Sequence, residues 1–144
     1  MIGLRIRQLR AGFFDRAVVL QATTAAERRV LSRFGAFVRQ RARSSMRPRA
    51  TPSAPGQPPS VHVGLLRQHL YFAWDAQQRS VVIGPALLNR GSRDTAQVLE
   101  YGGSAVRRRW GHPRRVLYAA RPFMGPAFAA EEHALPTLWR NALR

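Results

Sequence analysis

Thr24-Ala25-Ala26-Glu27-Arg28-Arg29-Val30-Leu31-Ser32-Arg33-Phe34-Gly35-Ala36-Phe37-Val38 is the stretch on which the reading of this chain turns. Thr24-Ala25-Ala26-Glu27 has the form of a capping box, in which a hydroxyl and a carboxylate three residues apart satisfy free backbone N–H groups. Behind it Val30, Leu31, Phe34, Phe37 and Val38 recur at helical spacing and form one apolar stripe. Arg29, Arg33, Gln40 and Arg43 fall on the other side. The pattern predicts a helix over about residues 24 to 44 with its apolar stripe in a core. Arg28, Arg29, Arg33, Arg39, Arg41 and Arg43 are read either as its solvated face or as a polyanion surface.

Toward the N-terminus, Ile2, Leu4 and Ile6 alternate with Arg5 and Arg7, which predicts a strand over residues 1 to 9. That start has neither the apolar block nor the small-residue cleavage site of a signal peptide. Asp15 is placed to cap a short helical stretch through Val18, Val19 and Leu20.

Beyond Ser44-Ser45 the chain changes character. Pro48, Pro52, Pro55, Pro58 and Pro59 exclude regular helix and ladder structure, so residues 45 to 60 read as an extended, semi-rigid arm. A segment of this length and proline content is uncommon in a small domain unless something binds it. Pro52, Pro55, Pro58 and Pro59, with Arg47 and Arg49, are the candidate contacts to a neighbouring subunit.

Val63-Gly64-Leu65-Leu66-Arg67 reads as a short turn or helix. His69 to Trp74 and Arg79 to Gly84, rich in aromatic and β-branched residues, then read as a hairpin about an Asp75-Ala76-Gln77-Gln78 turn. Residues 86 to 95 read as a loop. Thr95 to Tyr101 is a short helix stopped by Gly102-Gly103, and residues 104 to 115 form a basic loop before a short strand at Val116-Leu117-Tyr118. Pro122 and Pro126 bracket the start of a last helix. Its early turns hold Glu131 and Glu132, its apolar face is Phe128, Leu135, Leu138, Trp139 and Leu143, and Pro136 should kink it. The order predicts one α+β domain spanning residues 1 to 144. A small, mainly antiparallel sheet packs against a long helix of the N-terminal half and a C-terminal helix, with the Pro-rich arm between them.

The composition narrows the function. At 144 residues and 45% apolar, the chain suffices for one packed core. Nothing in it is apolar over the length a bilayer crossing needs, so no membrane partner is expected. There is no cysteine, hence no disulfide and no thiolate metal site. The net charge is +17, and all 24 basic residues are Arg. That excess fits a polyanion partner, or a genome that writes its surface positives as Arg. His62, His69, His112 and His133 show no metal-ligand spacing, the carboxylates are scattered, and no nucleophile elbow or phosphate loop is present, so no enzyme is expected. Arg107-Arg108-Arg109-Trp110, with Arg114-Arg115, is the candidate contact for a polyanion or an acidic partner. Arg contacts phosphates and Trp stacks on bases. No base-reading motif accompanies it, so contact with nucleic acid would be to the backbone.

Four segments in order resemble one family. They are Arg33 to Arg43; Pro55-Gly56-Gln57-Pro58-Pro59 leading to Val63-Gly64-Leu65-Leu66-Arg67; Val81-Val82-Ile83-Gly84-Pro85 followed by Val98-Leu99-Glu100-Tyr101-Gly102; and Arg121-Pro122-Phe123-Met124-Gly125-Pro126-Ala127-Phe128. Together they are similar to the neck, or tail-completion, proteins of long-tailed double-stranded DNA phages and prophages. Val63 stands where that family usually has Thr, and Gln68 and His69 where it has a hydroxyl residue. The resemblance implies a structural virion protein at the head–tail junction, assembled in the bacterial host cytoplasm. It implies a homo-oligomeric ring, a hexamer, between the head-closure or connector ring and the tail terminator or tail tube. DNA passes through its lumen without sequence specificity, and the resemblance implies no cofactor and no catalytic residue. A DNA conduit should not grip its cargo tightly, so most Arg residues are expected to face acidic partner rings rather than the lumen. The alternatives are a free-standing nucleic-acid-binding protein that uses its Arg surface without sequence preference, and a neighbouring phage component such as a head–tail adaptor, minor tail or minor capsid protein.

Overall fold

The computed structural model describes residues 15–86 and 95–142. The strand expected over residues 1 to 9, Leu143, and nearly all of the loop expected over residues 86 to 95 lie outside the described residues. The fold is α+β: a long N-terminal helix, two small antiparallel sheets and C-terminal helices.

Helix α1 runs Arg16–Ser45, about 45 Å at the α-helical rise. It begins earlier than the capping box suggests. Asp15 is its N-cap, with Oδ1 accepting from the N–H groups of Ala17 at 3.0 Å and Val18 at 3.4 Å. Thr24 lies inside the helix and donates its hydroxyl to the Leu20 carbonyl at 2.8 Å. The box pattern at Thr24 to Glu27 is therefore not a start. A Thr hydroxyl inside a helix finds the carbonyl of the preceding turn, and Glu27 pairs elsewhere. The buried face is Ala26, Val30, Phe34, Val38 and Ala42, a row at strict four-residue spacing that continues into Met46. Phe37 stands at its exposed edge with the Arg33 guanidinium over its ring, 5.7 Å from the centroid.

After α1 the chain makes a closed loop rather than a projecting arm. Pro48 and Val61 form a parallel bridge, and the Val61 N–H donates to the Arg47 carbonyl at 3.0 Å. Between those ends the backbone is irregular, as the prolines dictate. Helix α2, Leu65–Gln68, follows Gly64, whose φ of 83° gives the left-handed entry. Strands β1, Leu70–Asp75, and β2, Ser80–Pro85, then pair antiparallel, with Phe72 opposite Ile83 and Trp74 opposite Val81. Leu70, Phe72, Trp74, Val81 and Ile83 share the inward face against α1. Gly35 lets the sheet approach: a Cβ there would lie 2.8 Å from Val81 Cγ2 and 3.2 Å from Phe72 Cδ2. Arg39 Nε donates to the Leu70 carbonyl at 2.6 Å and ties α1 to the strand that crosses it.

Helix α3 is Thr95–Tyr101. The strand expected at Val116-Leu117-Tyr118 is present but longer, and residues 104 to 115, which read as a basic loop, belong with it to a second antiparallel hairpin, β3 Gly103–Arg109 and β4 His112–Tyr118. The chain closes with α4, Met124–Glu132, and α5, Leu135–Ala142, both packed on α1. This end departs from expectation in two ways. The helix is broken at His133-Ala134 rather than kinked at Pro136. Pro136 is the second residue of α5, where its missing N–H is tolerated because first-turn N–H groups have no intrahelical acceptor. Glu131 and Glu132 lie in the last turn of α4, not an early one, where the helix dipole disfavours them; Glu131 is paired with Arg41.

The core is small. Phe34, Val38, Ala42, Met46, Leu70, Ala96, Phe123 and Ala127 form it, with Leu66, Ile83, Leu99, Leu135 and Leu138 packed around it. Phe128 reaches it only at the edge, its ring T-shaped to Phe34 at 5.4 Å between centroids.

Candidate functional site: the arginine hairpin

The β3–β4 hairpin turns through two residues, Trp110 and Gly111, with φ of 56° and 82°. Positive φ at both positions is what a type I′ turn requires, and that turn matches the twist of the strands it joins. Gly and Asn are the usual occupants; an aromatic residue there is a backbone outlier. Trp110 is 88% exposed, so its ring does not anchor the tip to its own domain. The register sets Arg107 opposite Arg114 and Val106 opposite Arg115, while the backbones of Arg108 and Arg109 pair with Pro113 and His112. Arg107, Arg114 and Arg115 are exposed. Like charges directly across a ladder destabilise it.

Five of the six described carboxylates, all but the exposed Glu132, are engaged elsewhere. Asp15 and Asp75 accept from backbone N–H groups in their own turns. Glu27 pairs with Arg79, and Glu131 with Arg41. Glu100 accepts from the N–H groups of Phe123 at 2.8 Å, Met124 at 3.0 Å and Gly125 at 2.8 Å, and so caps α4 from α3. Among the described residues, no carboxylate pairs with Arg107, Arg114 or Arg115. The hairpin meets the rest of the domain chiefly at its base, where β3 touches α3, and it leaves Val106 and Leu117 exposed.

The proline segment is placed differently. Its Arg47, Arg49, Pro52 and Pro55 are exposed, Pro58 is half-buried, and Pro59 is buried in its own domain. Gly56 N–H donates to the Ala120 carbonyl at 2.8 Å, and Arg121 Nε to the Ser53 carbonyl at 3.0 Å. Of the candidate contacts here, Arg47, Arg49, Pro52 and Pro55 thus remain presented outward. The two candidate groups belong to separate elements.

Sequence reasoning missed two features. One is Glu100 as a remote cap, for which no local pattern exists because donor and acceptor lie in different helices. The other is the exposure of Val18, Val19 and Leu20 near the start of α1. Beside it an open groove of about 870 Å³ is lined by Leu20, Thr24, Arg28, Arg29 and Trp74, among others. Among the described residues, no three His, Cys, Asp or Glu side chains gather as a metal site, and no helix is long and apolar enough to cross a membrane. No protein-family model matches the chain, and no curated protein or solved structure matches it either.

Proposed function

We propose that this chain is a structural virion protein of a tailed phage or prophage, a neck or tail-completion subunit that forms a homo-oligomeric ring at the head–tail junction. The ring, a hexamer, joins the connector side to the tail side and passes DNA through its lumen; the chain catalyses nothing. One observation carries the reading. Three of the four segments that resemble the family meet at a single junction. Glu100 of the Val98 to Gly102 segment caps the helix of the Arg121 to Phe128 segment. The Arg121 N–H donates to the Leu99 carbonyl at 2.6 Å, and Gly56 of the proline segment donates to Ala120. Residues far apart in sequence are thus tied together as one unit, as a set of joint structural constraints would be.

The surfaces support the same reading. Among the described residues, the exposed start of α1, the outward part of the proline loop and the arginine hairpin are three separate exposed faces. A ring subunit needs different faces for its two neighbours in the ring and for the rings above and below. The decisive measurement is the mass of the purified protein at moderate and low salt, with negative-stain images of the same sample. Closed rings, or a monomer that forms rings only on heads or tail tubes, are expected. A stable monomer that ignores phage structures would overturn the proposal.

A further inference from the structure

The arginine hairpin has a chemistry of its own. Residues 103–118 contain five Arg and no carboxylate. Arg107 and Arg114 face each other across the ladder, with no counter-ion among the described residues. At the tip, Trp110 occupies a backbone conformation that disfavours it, with its ring in solvent. From residue 107 to 115 the only large apolar side chain is that Trp; the aliphatic Val106 and Leu117 lie nearer the base. A hairpin built to dock into a protein groove needs a central cluster of apolar anchors. A hairpin built for nucleic acid needs cations spaced along its edges and an exposed π face, and a two-stranded ribbon has the width to enter a groove of a duplex.

We infer that the tip of the β3–β4 hairpin binds the sugar–phosphate backbone of nucleic acid without sequence preference, with Arg107, Arg114 and Arg115 on phosphates and Trp110 against sugars or bases. This deepens the ring reading, and rests on it only for the source of the nucleic acid, the DNA in the lumen. Phosphates relieve the cross-strand repulsion, so binding and ordering of the tip are coupled. Contacts to phosphates alone are weakened by salt and read no sequence, which suits a surface that DNA must slide past.

The test uses the full chain and two double variants of equal charge change, R107Q/R114Q in the hairpin and R28Q/R29Q on α1. Binding to a short mixed-sequence duplex and to oligo-dT of the same length is followed by anisotropy over a salt series. The hairpin variant is expected to lose about tenfold more affinity than the helix variant, and to flatten the logarithmic salt slope by about two, one unit per lost phosphate contact. Quenching of tryptophan fluorescence on binding is expected to vanish in W110F. Preference for oligo-dT would place Trp110 on bases, and equal binding would place it on the backbone. Equal losses in the two variants would overturn the inference, since bulk charge would then explain binding. Displacement of the nucleic acid by polyglutamate at matched charge would overturn it in favour of an acidic protein. Circular dichroism confirms folding of each variant. Ring mass, measured in parallel, separates the two claims: hairpin-specific binding by a chain that never forms rings would sink the ring reading and leave this one standing.

Discussion

Two antiparallel hairpins of nearly equal length stand in this domain, and they are supported in opposite ways. The β1–β2 hairpin lays Leu70, Phe72, Trp74, Val81 and Ile83 on α1. Its tip is tied down as well, because Arg79 donates from Nε to Glu27 Oε2 at 2.8 Å and its Nη2 reaches the other carboxylate oxygen. The β3–β4 hairpin rests on α3 at its base and extends Arg and Trp beyond it. Among the described residues, Arg79 and Trp110 are the non-glycine residues with positive φ, one in each turn. Strain of this kind, about 1–3 kcal/mol, persists where surrounding contacts fix it. For Arg79 the fixing contact is Glu27. For Trp110 the described domain supplies none. One hairpin is therefore part of the core, and the tip of the other stands outside it.

The largest effect that would separate the two hairpins lies in paired truncations. Leu70 is fully buried and Leu117 is 82% exposed, each on a strand of its hairpin. Leu70→Ala is expected to lower stability by about 2–5 kcal/mol, the range for a truncated core leucine. Leu117→Ala should stay within about 0.5 kcal/mol of the parent in the isolated chain. Urea unfolding reads both. A comparable loss at Leu117 would mean that the second hairpin is held by the domain after all, and the contrast would fail.

A smaller effect is expected at the contact that seats the first hairpin. Gly35→Ala puts a methyl group 2.8 Å from Val81 Cγ2, a β-branched side chain with little freedom to turn aside. Overpacking costs about 1–3 kcal/mol, and the gain in helix propensity returns about 1 kcal/mol. Net destabilisation is expected, and G35A/V81A should recover part of it through the space the truncation opens. If G35A were instead stabilising, β1–β2 would be loosely seated and closer in kind to β3–β4.

The same contrast governs how much of the fold was legible in the sequence. The first hairpin announced itself through an apolar and aromatic run on each side of a polar turn, because its residues are there to be buried. The second did not: Arg107-Arg108-Arg109 and Arg114-Arg115 read as a loop, since strand patterning reports burial, and Arg107, Arg114 and Arg115 are turned to solvent. The turn signal was hidden as well, Trp110 standing where Asn or Gly would mark a type I′ turn. The long helix was legible in its middle, where Val30, Phe34 and Val38 face the core, and at its Asp15 cap; its continuity between the two was not, because Thr24-Ala25-Ala26-Glu27 has the form of a second start and nothing from Arg16 to Ala25 is buried. Non-local ties such as Glu100 to the start of α4 and Arg121 to Ser53 left no local trace at all. The candidate residues of the hairpin were nonetheless picked out, because charge and an aromatic are visible without knowing the backbone. What the structure added is their register and the unsupported tip.

The smallest expected effect is the most telling, because its sign opposes ordinary intuition. Trp110→Asn replaces a large residue by a small one that tolerates positive φ and favours a type I′ turn. In a buried setting such a truncation would cost several kcal/mol. Here the ring is 88% exposed and touches no core, so little packing is lost. Relief of backbone strain then outweighs the lost contacts, and the isolated chain is expected to gain a few tenths of a kcal/mol, up to about 1. Because the change is local, backbone amide exchange across β3 and β4 is the sensitive probe, with slower exchange in the variant as the expected result. Arg79→Asn supplies the control within the same fold: it relieves the same kind of strain but removes the pair with Glu27, so its net effect should be neutral or destabilising. If W110N speeds exchange in the hairpin, the Trp is holding its own domain and the two hairpins are alike. If it slows exchange while weakening binding of nucleic acid, then the sequence has kept an aromatic ring at a strained position against the interest of its own fold, and the reason must lie outside the chain.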